Sequence, residues 1–389
     1  MQPQNRINSI DLLRGIVMII MALDHTRDFF HSQAFIDDPL NLQTTSPALF
    51  ATRWITHLCA PTFVFLSGTA AFLQSLRKTT KELSLFLLTR GLWLIILEVA
   101  IVTFGITFDI HYNLLILQTI WAIGISMVVL AGAIWLPFPL ILTLGLVIIL
   151  GHNTLDFYEA EQRSDFPAWY SLMHVPGSYS IGQSTLLVFY PFVPWAGTMM
   201  LGYCFGKYYL ADEQNKNRRS ILLGTLLILF FIVLRFTNLY GDPLKWKPQS
   251  SFLHTFFSFI NTQKYPPSLL YLSVTIGISL VTLGLIGNVR NRFTNTITVY
   301  GRVPLFYYVL HFYLLHLLSM LMFFMNGHSF EQGAEGMKGA PFKFLAPGEG
   351  TGLGGVYLVW LLVVIGLYPV CRWYANYKKN HPSWWVSYL

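Results

Sequence analysis

Apolar residues recur along this chain in runs of helical length, broken by short polar segments, from residue 12 to residue 371. Most runs approach the ~20 residues of helix needed to cross the hydrocarbon core of a bilayer. The pattern predicts ten spans, at 12–30, 54–75, 84–106, 114–133, 136–151, 188–206, 220–237, 267–287, 302–324 and 353–371. Pro137 and Pro139 mark the shortest turn, between the fourth and fifth spans. The predicted fold is therefore all-α, a polytopic membrane helical bundle of about ten transmembrane helices. It is read as a single domain over residues 1–389, since no repeat, low-complexity tract or linker to a soluble domain interrupts it.

Charge supplies the orientation. An even number of spans puts both termini on one side, and the reading places them in the cytoplasm. The inner segments then hold thirteen basic residues in short loops, among them Arg6, Arg77, Lys78, Lys216, Arg218, Arg219, Arg290 and Arg372. The outer segments hold seven in much longer loops, including Arg53, Arg163, Lys245 and Lys264. Retention of basic residues inside follows the positive-inside rule. The outer loops, 31–53, 152–187, 238–266 and 325–352, mix aromatics with Pro and Gly. They read either as an interfacial aromatic belt or as a surface that receives a substrate from outside.

Composition excludes a soluble globule. The chain is 54% hydrophobic and only 11% charged, against roughly 25% charged in soluble domains. The formal charge of +7 sits mostly beside helix ends, so the expected partner is the lipid bilayer and not nucleic acid. Cys59, Cys204 and Cys371 lie far apart, and no CxxC or His/Cys ligand spacing occurs. Neither a disulfide framework nor a metal is expected.

A charge at the centre of a spanning helix costs roughly 2.5–3.5 kcal/mol on insertion scales, so ionisable groups inside the spans are candidates for function. Twelve lie in or at the edge of them: Arg14, Asp24, His25, Arg27, Asp28, His57, Arg90, Glu98, Arg235, Arg302, His311 and His316. The first span is the densest. Its segment "ALDHTRDFFH" puts two carboxylates, two imidazoles and a guanidinium near the outer end. His57, in the first turn of the second span, lies at a depth similar to Asp24. An imidazole opposite a carboxylate is the simplest general-base arrangement. The expected catalytic set is His57, Asp24 and His25; the other reading is an ion-pair cluster that locks helix packing. Arg27, Asp28, His31 and His311, with Lys264 and Tyr265 of "NTQKYPPSLLYL", are the expected substrate contacts. Glu98 and Arg90 are eight residues apart, so each needs a partner on another helix, and Arg235 or Arg302 can serve Glu98.

Four blocks in this order, "RINSIDLLRGIVMIIMALDHTRDFF", "THLCAPTFVFLSG", "KYPPSLLYL" and "GRVPLFYYVLHFYLLH", resemble the bacterial relatives of heparan-α-glucosaminide N-acetyltransferase, the YeiB-like group of transmembrane acyltransferases. The resemblance covers essentially the whole chain. It implies a membrane-embedded helical bundle, able to form a homodimer, in a bacterial cytoplasmic (inner) membrane. It also implies an activity: transfer of an acetyl group from cytoplasmic acetyl-CoA to an amino sugar or glycan acceptor on the outer side. If the chain carries out such a transfer, the in-span groups fit it as follows: Arg14, Arg90 or Arg302 hold the donor phosphates. His57 or His25 takes the acceptor proton, Asp24 orients the imidazole, and Arg27 anchors the acceptor or steadies developing charge. By motif order, Asp24 stands where the animal enzyme has Asn and His57 where it has Asp. That enzyme's essential His lies between its first two helices, and here His31 sits just beyond the first helix. The alternative is a proton-coupled secondary transporter of a small polar or sugar-like solute, with Asp24, His25 and Glu98 as the relay. The chain shows no inverted repeat of the kind transporters use.

Overall fold

The computed structural model describes residues 7–162, 166–210, 215–287 and 289–381; Arg6 and Arg163 of the charge pattern lie outside them. The chain forms two compact units that alternate along the sequence. One comprises Met1–Cys59, Ala100–Leu114 and Asn288–Leu389, the other Ala60–Val99 and Leu115–Gly287.

The first unit is built around the helix Asn8–Phe30. Sixteen of its 23 residues are buried, charged ones among them, so it is enclosed by neighbours on nearly all sides. The neighbours are Arg292–Arg302, Pro304–Met325 and Leu353–Asn380, with the start of Pro47–Ser75. Glycine sets the closest crossing. A Cβ on Gly301 would overlap the Asp11 carbonyl, and one on Gly15 would overlap that of Ile297. Without a hydrophobic drive between helices in lipid, such small residues let backbones approach and gain dispersion contact.

The second unit repeats this device. Thr80–Thr107 enters it as far as Val99 and crosses Thr119–Ala133 at Gly91 and Gly124, each against the other's carbonyl oxygen. Lys216–Thr237 crosses Leu269–Ile286 at Gly224 and Gly277 in the same way. Gly68 meets the backbone of Phe192–Leu210 at Met199, and Gly202 of that helix meets Phe65. Outward faces stay apolar: Leu222, Leu226 and Val233 on one helix are exposed. Large exposed side chains of this kind in register call for lipid, not water.

Each predicted span contains a helix. Seven helices among the described residues are long and apolar enough to cross a membrane: Pro47–Ser75, Thr80–Thr107, Phe138–Glu161, Lys216–Thr237, Leu269–Ile286, Pro304–Met325 and Leu353–Asn380. The others are Asn8–Phe30, with its charges, Phe192–Leu210, and Thr119–Ala133 at only 15 residues. The second helix starts earlier than expected, because Ser46 Oγ accepts the Leu49 N–H and Pro47 occupies the first turn. Both features favour a helix start. Residues 47–53, read as loop, are thus helix, and Arg53 rides on the same helix as His57.

The all-α expectation needs one correction. Leu114–Leu117, Gly177–Ile181 and Ser184–Val188 form a small sheet in the order first, third, second. The last two strands are an antiparallel hairpin closed at Gly182, whose φ of +61° suits glycine at the first turn position. Leu114 and its neighbours, taken as the start of the fourth span, are therefore strand. Four apolar residues cannot be told from a helix start by periodicity.

Two in-span charges have structural partners other than those expected. Glu98 Oε2 accepts the Trp121 N–H at 3.2 Å, so the carboxylate caps the amino end of Thr119–Ala133 instead of facing an arginine. Arg235, 1% exposed, donates to the carbonyls of Phe259 (2.8 Å), Leu244 (2.6 Å), Ser258 (3.1 Å) and Asn261 (2.6 Å). It also lies 3.7 Å from Asp242, which accepts from Ser268 Oγ at 2.6 Å. Burial pushes the Asp242 carboxyl up, against the pull of Arg235. The guanidinium thus orders the 238–268 segment by filling carbonyls that water would otherwise solvate.

The glycine crossings give a direct test. Gly301→Val will force the first helix off its neighbour and cost at least the ~1–3 kcal/mol of ordinary overpacking. Gly132→Ala, where nothing lies within 4 Å, will be neutral or slightly stabilising. Thermal unfolding of the two variants in the same detergent checks both.

Candidate functional site

In the first unit the carboxyl-terminal end of the first helix carries the cluster that the sequence singled out. Asp24 and Arg27 are each 8% exposed. Arg53 Nη1 donates to Asp24 Oδ2 at 2.6 Å, and Arg27 Nη2 to Asp24 Oδ1 at 3.2 Å. Arg27 Nη2 also reaches Asp28 Oδ1 at 2.6 Å. Both oxygens of Asp24 are therefore engaged by guanidinium groups. The pattern follows from helix geometry: Asp24 and Arg27 are three apart and share a face. Arg53 arrives from the early turn of the second helix, which the sequence reading had left in the loop. Its spacing of four from His57 was the available signal.

His25 Nδ1 lies 3.8 Å from Asp28 Oδ2. Its ring stands 5.2 Å from that of His311 and 4.2 Å from Phe312, centroid to centroid. His311 is fully buried and stacks on Tyr307 at 5.5 Å and 7°. Its Nδ1 is 3.2 Å from the Tyr307 carbonyl, one helical turn back, whereas Nε2 meets no hydrogen-bond partner. A carbonyl only accepts, so the proton sits on Nδ1 and Nε2 keeps a lone pair. Arg27 Nε is likewise buried and without a partner. The first unit thus presents an unpaired acceptor and an unpaired donor, both buried, beside a saturated ion cluster.

His57 is 1% exposed and sits in the tight Thr56–Leu58 turn, which packs on the first helix. The turn is pinned there by Cys59 Sγ, 3.3 Å from the Val17 carbonyl. His31 follows the first helix directly. Burial, with the nearby Arg27 charge, holds its imidazole below the ordinary value, and its Nδ1 accepts the Gln33 N–H at 3.2 Å. At the other end of the helix Arg14 lies 3.7 Å from Asp11. Arg302 is exposed and follows Gly301, which abuts Asp11, so both arginines belong to this crossing. Lys264, Tyr265 and Arg90 belong to the second unit. There Tyr265 packs on Tyr190 at 5.2 Å, and Lys264 lies over the Tyr265 ring. Arg90 is half-buried, near the Phe86 ring. His316 sits between the carbonyls of Gly105 and Lys343, a packing role.

Apolar helices with lipid-ready faces, enclosing a saturated ion cluster and unpaired buried polar atoms, define a polytopic membrane protein with a polar site inside its helices. Over residues 6–236, more than half of the chain, it matches the family model described as heparan-alpha-glucosaminide N-acetyltransferase, catalytic. The chain belongs to that family of membrane acetyltransferases. The match takes in Asp24, His25, Arg27, Asp28, Arg53 and His57, and ends before Lys264, Arg302 and His311. No curated protein matches the chain.

Asp24 is the hub of the cluster, and its removal leaves two guanidinium groups facing each other. Asp24→Asn will cost about 3–5 kcal/mol, the usual penalty for breaking a buried pair from one side. Asp28→Asn, at a half-buried position with one arginine contact, will cost under about 1 kcal/mol. Unfolding midpoints of the purified variants distinguish the two.

Proposed function

We propose that this protein moves an acetyl group from cytoplasmic acetyl-CoA to an amino sugar or glycan acceptor on the outer side of a bacterial inner membrane. Membership of the acetyltransferase family supports the reaction class. The observation that carries the assignment of the site is His311 Nε2, a buried acceptor without a partner, on a ring whose centroid lies 5.2 Å from that of His25, with Arg27 Nε a buried donor without a partner two residues further along the first helix. In this reading the acceptor nitrogen attacks the thioester carbonyl carbon. His311 or His25 takes the proton lost by the nitrogen, and Asp28 supports the charge that gathers on His25. Arg27 Nε–H donates to the carbonyl oxygen as it becomes negative, the role of a preorganised donor. Collapse breaks the C–S bond, and the thiolate leaves with a proton from the imidazolium.

Asp24 is given a different task from the one read in the sequence. It holds Arg27 and Arg53 in place and so aims Arg27 Nε. His57 remains a second proton acceptor, on a turn pinned against the same helix. Arg14 and Arg302 are proposed to meet the donor phosphates, since guanidinium forks suit phosphate oxygens. His31 remains a proposed acceptor contact, whereas Arg90, Lys264 and Tyr265 lie in the second unit and are given no role in this site.

The test is purified protein in nanodiscs with acetyl-CoA and glucosamine oligomers, followed by release of free thiol. Release will require both substrates. His311→Gln and His25→Gln will lower kcat about 10²–10⁴-fold, the range for a lost proton acceptor. Arg27→Lys keeps the charge but loses Nε–H, and will cost about 10²–10³-fold in kcat. Absence of thiol release with every amino sugar and glycan supplied sinks the proposal.

A further inference from the structure

The segment that follows the helix Phe138–Gly151 gathers a second set of titratable side chains, which the acetyl-transfer site does not use. His152 lies in the turn His152–Thr154, Glu159 on the helix Leu155–Glu161, and His174 just past the helix Ala168–Met173. All three are in the second unit. Both imidazoles are buried, with His152 5% and His174 1% exposed. His174 Nδ1 is 2.5 Å from Glu159 Oε1, which also accepts the Tyr170 hydroxyl at 2.9 Å. His174 Nε2 is 3.0 Å from His152 Nδ1. His152 Nε2 is buried and has no hydrogen-bond partner. The turn itself is held rigidly, since Asn153 Oδ1 accepts the Leu269 N–H at 2.8 Å and Asn153 Nδ2 donates to Asp156 at 2.7 Å.

These contacts determine where the protons are. A carboxylate only accepts, so His174 carries its proton on Nδ1. In the neutral ring its Nε2 is then an acceptor, and the donor facing it is His152 Nδ1–H. The chain of bonds ends in a lone pair on His152 Nε2. A purely structural contact has no reason to leave that last nitrogen unused, because buried polar atoms are nearly always paired. The tautomer is also the one that serves proton acceptance, with the far nitrogen tied to a second group that stabilises the imidazolium.

We propose that Glu159, His174 and His152 form a proton relay that takes a proton at His152 Nε2 from a bound alkylammonium group, leaving the neutral amine. The ligand's N–H bond breaks, and its electron pair stays on the ligand nitrogen. A new N–H bond forms at His152 Nε2 while the Nδ1 proton passes to His174 Nε2. The positive charge ends on His174, against the Glu159 carboxylate. The amine class follows from charge: the helix Leu155–Glu161 carries Asp156, Glu159 and Glu161 and no base. That field favours a cationic ligand over a neutral hydroxyl. The relay rests on the acetyl-transfer reading only for the choice of an amino sugar as probe. Asp156, Glu159 and His174 also bring three ligand atoms within 4.8 Å of one another. A cation there must displace the proton between His174 and Glu159.

The experiment is nitrogen-15 NMR of the full-length protein, labelled at histidine, in nanodiscs. Signals lost in His152→Gln identify His152; if that variant does not fold, contact with the His174 ring identifies it in the wild type. Both imidazoles will be protonated at Nδ1 near neutral pH. Glucosamine will move the His152 Nε2 signal, and N-acetylglucosamine, which lacks the amine, will not. Glu159→Gln, whose amide oxygen still accepts from His174 Nδ1–H but carries no charge, will keep the shared tautomer and lose the response to glucosamine. The proposal is overturned by His152 protonated at Nε2 in the free protein, by no response to glucosamine, or by equal response to N-acetylglucosamine. Stoichiometric Zn²⁺ displacing the His174 Nδ1 proton overturns it in favour of a metal site. Thiol release is not read, so a protein that answers to glucosamine yet transfers no acetyl group fails only the acetyl-transfer reading.

Discussion

A carboxylate buried among apolar helices is tolerable only when cations meet it, and Asp24 organises the first unit for that reason. Taking an ion out of water costs several kcal/mol even after relaxation. Asp24 recovers this through Arg53 at 2.6 Å and Arg27 at 3.2 Å. Two constraints follow. The second helix must begin early enough to deliver Arg53, and it does, at Pro47. Arg27 engages Asp24 and Asp28 through Nη2, and its buried Nε has no partner. The ion cluster thus fills both oxygens of Asp24 and leaves one buried N–H donor, Arg27 Nε, without a partner.

Close backbone contact is the second organising constraint. Gly15 with Gly301, Gly91 with Gly124 and Gly224 with Gly277 each bring two helices together where a methyl group would collide with a carbonyl. The first of these crossings bears directly on the site. It fixes the first helix against Arg292–Arg302 and so sets Arg14 and Arg302 at one end of a helix whose other end carries Asp24 and His25. In a low-dielectric surround, every polar group must also find a partner within the protein. Glu98 capping a helix and Arg235 filling four carbonyls are both answers to that demand.

The polar groups kept inside the apolar runs were legible one helix at a time. "ALDHTRDFFH" announces a dense polar group, because few sequences place two acids, two imidazoles and an arginine inside an apolar run without a use for them. The partners were not legible. Arg53 read as an ordinary outer base, since it lay in an assumed loop. Glu98 was assigned an arginine because charge suggests charge, whereas a helix start offers donors that no residue code displays. The hairpin Gly177–Val188 was missed, its alternation too short to stand out among mixed aromatics. His152, Glu159 and His174 are spread over 23 positions with no motif spacing, and only the fold makes them neighbours.

By itself, then, the sequence determined the membrane character, the approximate positions of the long apolar helices and the family, because hydropathy, length and ordered motif blocks are properties of contiguous residues. It also marked the first helix as the place where charge is kept in an apolar setting. The tertiary structure alone decided which cation meets which carboxylate, which nitrogen of His311 carries the proton and which polar atoms are left unpaired. Those outcomes depend on distances of about 3 Å between residues tens or hundreds of positions apart, and hydrogen bonds and ion pairs fall off too steeply with distance for any one-dimensional pattern to specify them.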